Sequence, residues 1–157
     1  MEAIREGDIP GVQLRRRQGL APLREEAWRW LAEPGRLALW LAEEAELEGG
    51  LGGTLLLRGS QPRVDPPPGP WRERGRTLEI VPPEVWVLSF ERLDAGWPAP
   101  TRLILRLHEV RGGSEIDVLQ GGFQRLPLSI GLTVWESYRT RWRTALARLA
   151  EVAGADA

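Results

Sequence analysis

The chain has 157 residues, 42% hydrophobic and 27% charged, with a net charge of −1, the values of one globular domain over residues 1–157 with a core at about 10–153. Near-neutrality argues against a nucleic-acid binder that must neutralise many phosphates, no apolar run nears the ~20 residues of a membrane span, and the absence of Cys removes disulfides, thiolate nucleophiles and zinc–sulfur sites. All 21 basic residues are Arg, Asn is absent and 13 residues are Pro, a thermophile-like composition that GC-rich coding produces equally well.

Residues 1–8 read as an irregular start. Met1 leads into Glu2, Arg5, Glu6 and Asp8 rather than into a signal peptide, so the expected location is cytoplasmic. Val12 and Leu14 alternate with Gln13, Arg15 and Arg17 as a short strand. Arg16 shares the apolar parity and is expected to end the buried stretch. From Pro22 the period changes: Ala27, Trp28, Trp30 and Leu31 fit a short helix, and Leu37, Trp40 and Leu41 a second one after Pro34.

Alternating segments follow: Ala45 and Leu47; Leu55 and Leu57; Leu78 and Ile80; Trp86, Leu88 and Phe90; Leu103, Leu105 and Leu107; Ile116 and Val118. Turn signals separate them at 49–53, Pro82-Pro83 and Gly112-Gly113. Two loops interrupt the series. Residues 60–74 carry five Pro around Trp71, and proline removes ladder donors, so this segment is expected to be a stiff loop and not a strand. The loop there either lids a cavity mouth or grips a partner with Trp71, or Trp71 is a static anchor. Residues 94–100, with Trp97, pose the same question.

The last element is a helix over 133–153. Trp135, Tyr138, Trp142, Leu146 and Leu149 form one stripe with Ala145 and Ala153, while Glu136, Thr140, Thr144 and Glu151 lie opposite. Thr133 and Glu136 have the spacing of a capping box, and Gly154 that of a stop. Such a stripe needs a broad apolar surface. The strands supply it, which makes the class α+β, an antiparallel sheet covering one long helix.

Five segments carry a resemblance. The run from Pro22 to Leu31 with Pro34, Leu37, Trp40 and Leu41 resembles the opening motif of the activator-of-heat-shock-protein-90-ATPase (AHSA-type) homologues, in the SRPBCC superfamily of START and Bet v-like domains. Gly75 with 78–83 and then 85–90 is similar to that family's central hairpin. Gly112-Gly113-Ser114, Gly122-Phe123, and Trp142 with Leu146 and Leu149 resemble its closing elements. Ala27, Ser114, Arg141 and the proline-rich insertion depart from the pattern. The resemblance implies a helix-grip fold: about seven curved strands around the C-terminal helix, two short helices after the first strand, and a cavity between sheet and helix.

Catalytic patterns are thin. His108 is the only histidine, which excludes a multi-imidazole metal site, and its parity with Arg106 turns it toward solvent. There is no Gly-x-Ser-x-Gly elbow and no Walker lysine. No catalytic residue, metal or cofactor is therefore expected. Tyr138 is either a cavity acid–base group or a core residue whose hydroxyl finds a partner. Eight Trp are more than such a core needs, and aromatic-lined pockets with few polar groups are typical ligand sites. The expected function is binding of a hydrophobic small molecule or lipid-like ligand. Its candidate lining is Trp40, Leu55, Trp71, Leu78, Trp86, Leu88, Phe90, Leu103, Leu105, Phe123, Trp135, Tyr138 and Trp142. The alternatives are a chaperone-associated interaction protein and a polyketide cyclase- or dehydrase-like enzyme. Enzyme activity and oligomeric state stay open.

Overall fold

The computed structural model describes residues 4–61 and 63–155. Residues 1–3 of the expected irregular start and Pro62 of the proline-rich loop lie outside the described residues. Strand β1 (Gln13–Leu20) is followed by helices α1 (Arg24–Ala32) and α2 (Pro34–Leu37). Then come β2 (Glu44–Leu47), β3 (Thr54–Gly59), β4 (Trp71–Val81), β5 (Val85–Arg92), β6 (Thr101–Val110), β7 (Gly113–Gly121), a single 3-10 turn (Phe123–Arg125) and helix α3 (Leu128–Ala155). The described strands form one seven-stranded antiparallel sheet in the order β1-β7-β6-β5-β4-β3-β2. It is a meander whose first strand closes the far edge beside β7, with α1 and α2 spanning the gap between edges. This is the helix-grip arrangement. No described helix is long and apolar enough to cross a membrane.

The grip is made by the expected stripe. Trp135, Tyr138, Trp142, Leu146 and Leu149 are all 0–2% exposed, and the sheet presents Leu88, Phe90, Leu103, Leu105, Ile116 and Val118, equally buried. Both tryptophans of the stripe place their indole N–H on partners. Trp142 Nε1–H donates to Gln120 Oε1 at 2.8 Å, Gln120 Nε2 donates to Thr101 Oγ1 at 3.1 Å, and Trp135 Nε1–H donates to the Gln13 carbonyl at 2.8 Å. The helix is thereby registered against β1, β6 and β7 by hydrogen bonds as well as by packing.

Four expectations need correction. First, α3 starts at Leu128, so Thr133 and Glu136 are not a capping box. The Pro127 carbonyl instead accepts the first helical N–H groups, from Ile130 and Gly131, and Gly154 lies within the helix. Second, Arg16 does not end the buried stretch; it points inward at 3% exposure. Its Nη1–H donates to Asp8 Oδ1 at 2.9 Å, and the Arg139 Nε is 3.5 Å from Asp8 Oδ2. The segment before β1 thus delivers a counter-ion. Burial would raise the Asp8 carboxyl, but the N–H groups of Arg15 and Arg5 and the Arg16 guanidinium outweigh it and hold it below its usual range.

Third, residues 71–74 belong to β4. Its inward face begins Trp71, Glu73, Gly75, Thr77, all buried. One apolar residue in four hides the two-residue period. Fourth, Leu78 is not inward. The register shifts between Thr77 and Glu79, as at a β-bulge, and Leu78 is left 43% exposed while Ile80 packs inward opposite Trp86.

Trp142→Ala removes a fully buried ring and its bond to Gln120. It is expected to lower the unfolding free energy by about 3–5 kcal/mol, read from the urea midpoint at unchanged slope. His108 is half-exposed, with Nε2 4.0 Å from Asp117, and His108→Ala is expected to shift the same midpoint by less than about 0.5 kcal/mol of stability.

Candidate ligand-binding site

Helix α3 carries a second stripe beside the buried one. Ser137, Thr140, Arg141, Thr144, Ala145 and Arg148 follow one another at alternating spacings of three and one along one flank, and together they wall a cavity of about 440 Å³. The opposite walls are Trp40 and Leu41, in the turn after α2, and Gln61, Arg63, Val64 and Trp71 from the proline-rich loop and the first residue of β4. That volume is within the roughly 300–1,000 Å³ of small-molecule sites. Both indoles are fixed. Trp40 Nε1–H donates to the Trp30 carbonyl at 3.1 Å and Trp71 Nε1–H to the Gln61 carbonyl at 3.0 Å. Trp71 lies over Gly59, its pair in the β3–β4 ladder, where a Cβ would stand 2.2 Å from the ring. Only glycine leaves room for the indole in that position.

A buried ionic cluster adjoins the cavity through Arg63, Ser137 and Arg141, which belong to both. Glu73 reaches inward from β4, with both carboxylate oxygens inside the protein. It accepts the Tyr138 hydroxyl, pairs with Arg141, and accepts Arg63 Nη1–H at 2.9 Å. Asp65, in the proline-rich loop, accepts Ser137 Oγ–H at 2.5 Å, Arg63 Nη2–H at 3.3 Å and Arg92 Nη1–H at 3.0 Å. Arg92 also donates to the carbonyls of Asp65 at 2.7 Å and Pro67 at 2.5 Å. The loop is therefore a pinned wall, held from β5 and α3. The guanidinium carbons of Arg63 and Arg141 sit 4.7 and 4.6 Å from the Trp71 ring centre, where the ring's negative face attracts them.

These contacts set the proton affinities. Burial alone would raise the Glu73 carboxyl, but Arg141, Arg63 and the Tyr138 hydroxyl together hold it below its usual value of 4.5. Burial beside Glu73 raises the Tyr138 phenol. Burial opposes the charge on Arg63, yet the Glu73 and Asp65 carboxylates more than compensate and hold its proton affinity above the usual arginine value. Tyr138 is thus a neutral hydrogen-bond donor, a structural partner to a carboxylate. Among the described residues no group of His, Cys, Asp and Glu is arranged to hold a metal.

The expected lining residues divide. Trp40 and Trp71 border the cavity. Leu55, Trp86, Leu88, Phe90, Leu103, Leu105, Phe123, Trp135, Tyr138 and Trp142 are packed in the core at 0–2% exposure. There Tyr138 meets Phe90, Trp97 and Phe123 at centroid distances of 6.2, 6.0 and 5.9 Å. Trp86 also borders a void of about 90 Å³ with Trp28, Thr77 and Ile80. Leu78 lies outside. The rings fill the space between sheet and helix, and the opening is displaced to the flank of α3. The sequence reading missed Arg63, Asp65, Glu73, Arg92, Ser137 and the polar role of Arg141. Two of these were visible as charges at inward strand parity: Glu73 between Trp71 and Gly75, and Arg92 two residues after Phe90.

The model of one family, described as Activator of Hsp90 ATPase homolog 1-like protein, matches residues 23–154. A comparison with curated protein sequences gave no match. Among solved structures, protein CV1439 from Chromobacterium violaceum aligns with TM-score 0.72 and 23% identity over 90% of this chain and 96% of its own. The Aha1 dimer from Colwellia psychrerythraea aligns with TM-score 0.67 and 13% identity over 91% and 96%. DynU16, a protein in the dynemicin biosynthetic locus, aligns with TM-score 0.64 and 16% identity over 88% of this chain and 46% of that one. At these identities the likeness is one of fold.

Replacing Glu73 by Gln leaves Arg63 and Arg141 short of a buried counter-charge and is expected to cost about 3–5 kcal/mol at neutral pH. Because the folded carboxyl titrates below the unfolded one, its contribution is complete above pH 4.5 and is lost as pH falls below it. Unfolding curves of wild type and Glu73→Gln are therefore expected to converge in acid and diverge toward neutrality; a constant gap would contradict the assignment.

Proposed function

The chain belongs to the Activator of Hsp90 ATPase homolog 1-like family, and on that premise we propose that it is a cytoplasmic binding module for a hydrophobic small molecule or lipid-like ligand. The ligand lies in the cavity between α3, the turn after α2 and the proline-rich loop. One observation carries this reading: Trp40, Leu41, Trp71 and Ala145 form an apolar recess that the fold leaves open beside a core whose rings are packed at 0–2% exposure. Each methylene buried there contributes about 0.8 kcal/mol. The walls are pre-formed by Gly59, Arg92 and the indole hydrogen bonds, so little ordering opposes binding.

A second reading, action on a chaperone, is favoured by the family's description and by the Aha1 neighbour. It predicts that the chain changes the rate of ATP hydrolysis by an Hsp90 protein, and no change would dismiss it. A cyclase-like enzyme has less support. Tyr138, the acid–base candidate, is committed as a donor to Glu73, and Ser137 to Asp65.

Thr144→Trp places a ring in the recess from an exposed helix position. Delipidated wild type is expected to bind Nile red, and Thr144→Trp to lose at least about nine-tenths of that signal with stability changed by no more than about 0.5 kcal/mol. Absence of binding by wild type would sink the proposal.

A further inference from the structure

The polar end of the cavity carries an unbalanced charge. Three guanidinium groups, Arg63, Arg92 and Arg141, share two carboxylates, Asp65 and Glu73, which leaves one positive charge uncompensated within the cluster. Arg63 is 92% buried by its side-chain exposure of 8%, and its Nε–H is buried without a hydrogen-bond partner. Arg63 and Arg141 both border the cavity, and Arg148 stands at its outer wall, half-exposed, engaging Glu151 and the Leu39 carbonyl. The other residues on the walls are neutral. A buried donor with no acceptor and a net positive charge beside an apolar recess are complementary to one kind of molecule.

Resting on the cavity reading above, we infer that the ligand is a carboxylate-bearing amphiphile. Its anion is received by Arg63 and Arg141 with Arg148 in support, and its apolar body lies against Trp40, Leu41 and Ala145. A single excess charge matches a carboxylate better than a phosphate monoester, which carries ≈ −1.5 to −2 at neutral pH. The guanidinium groups are held in place by Trp71 stacking and by their existing ion pairs, so the anion meets donors already oriented.

The test is calorimetric titration of the delipidated full chain with dodecanoate and with dodecanol, both below their aggregation limits. Dodecanoate is expected to bind at least about tenfold more tightly than dodecanol, and Arg148→Met and Arg141→Met are each expected to shrink that ratio. Arg148→Met keeps the test sound if Arg141→Met fails to fold. Equal affinities for the two probes would overturn the anion inference and leave the hydrophobic cavity standing. Binding of neither would overturn both. A tenfold ratio unchanged in Arg148→Met and in folded Arg141→Met would overturn the assignment of the anion to these arginines.

Discussion

Glu73 is the fixed point of this molecule. A carboxylate taken fully out of water is unfavourable unless several donors surround it, and here Tyr138, Arg63 and Arg141 converge on it. Two of the donors come from α3 and one from the proline-rich loop. Tyr138 brings the buried stripe of α3 to β4. Arg63 brings in the proline-rich loop. Arg141, one turn past Tyr138, also donates to the Leu41 carbonyl at 3.0 Å and so ties in the turn after α2. One inward acid thus links sheet, helix, loop and brace, through two arginines that line the cavity.

The position of the cavity follows from that arrangement. The aromatic stripe of α3 packs against Phe90 and the aliphatic face of the sheet, Leu88, Leu103, Leu105, Ile116 and Val118, and close packing leaves little room between them. The neighbouring flank of the helix cannot close in the same way. The loop opposite it is fixed by Arg92, by the Ser137–Asp65 hydrogen bond and by the Trp71 indole lying over Gly59. The same contacts that make the loop rigid therefore keep the recess open. They also determine its chemistry, since the walls carry two arginines stacked on an indole. Stability and the capacity to receive an amphiphile have a common physical origin.

Much of the architecture was legible because apolar periodicity reports burial. Leu103, Leu105 and Leu107 alternate without interruption, and the stripe from Trp135 to Leu149 stays on one face of its helix. Legibility failed where the inward residue was not apolar. Glu73, Gly75 and Thr77 hid the start of β4, and Arg16 looked like a strand end because Asp8 lay outside any recognised element. It failed again at the start of α3, where Leu128 and Leu132 are 99% and 57% exposed and give no amphipathic pattern. The site was harder still. Trp40 and Trp71 were named from aromatic content, whereas Arg63, Asp65 and Arg92 become partners only once the loop folds back across the sheet, a relation of residues 27 positions apart that no local period encodes.

A double-mutant cycle on Glu73→Gln and Arg141→Met, with unfolding measured at neutral pH for both singles and the pair, interrogates this origin most directly. The account predicts strong coupling, about 1–3 kcal/mol, because Glu73→Gln removes the carboxylate that Arg141 pairs with, and Arg141→Met removes one of the donors that offset the burial of Glu73. Losses that add to within about 0.3 kcal/mol would show that Glu73 and Arg141 do not depend on one another, and would contradict the claim that a single buried carboxylate holds the walls of the cavity together.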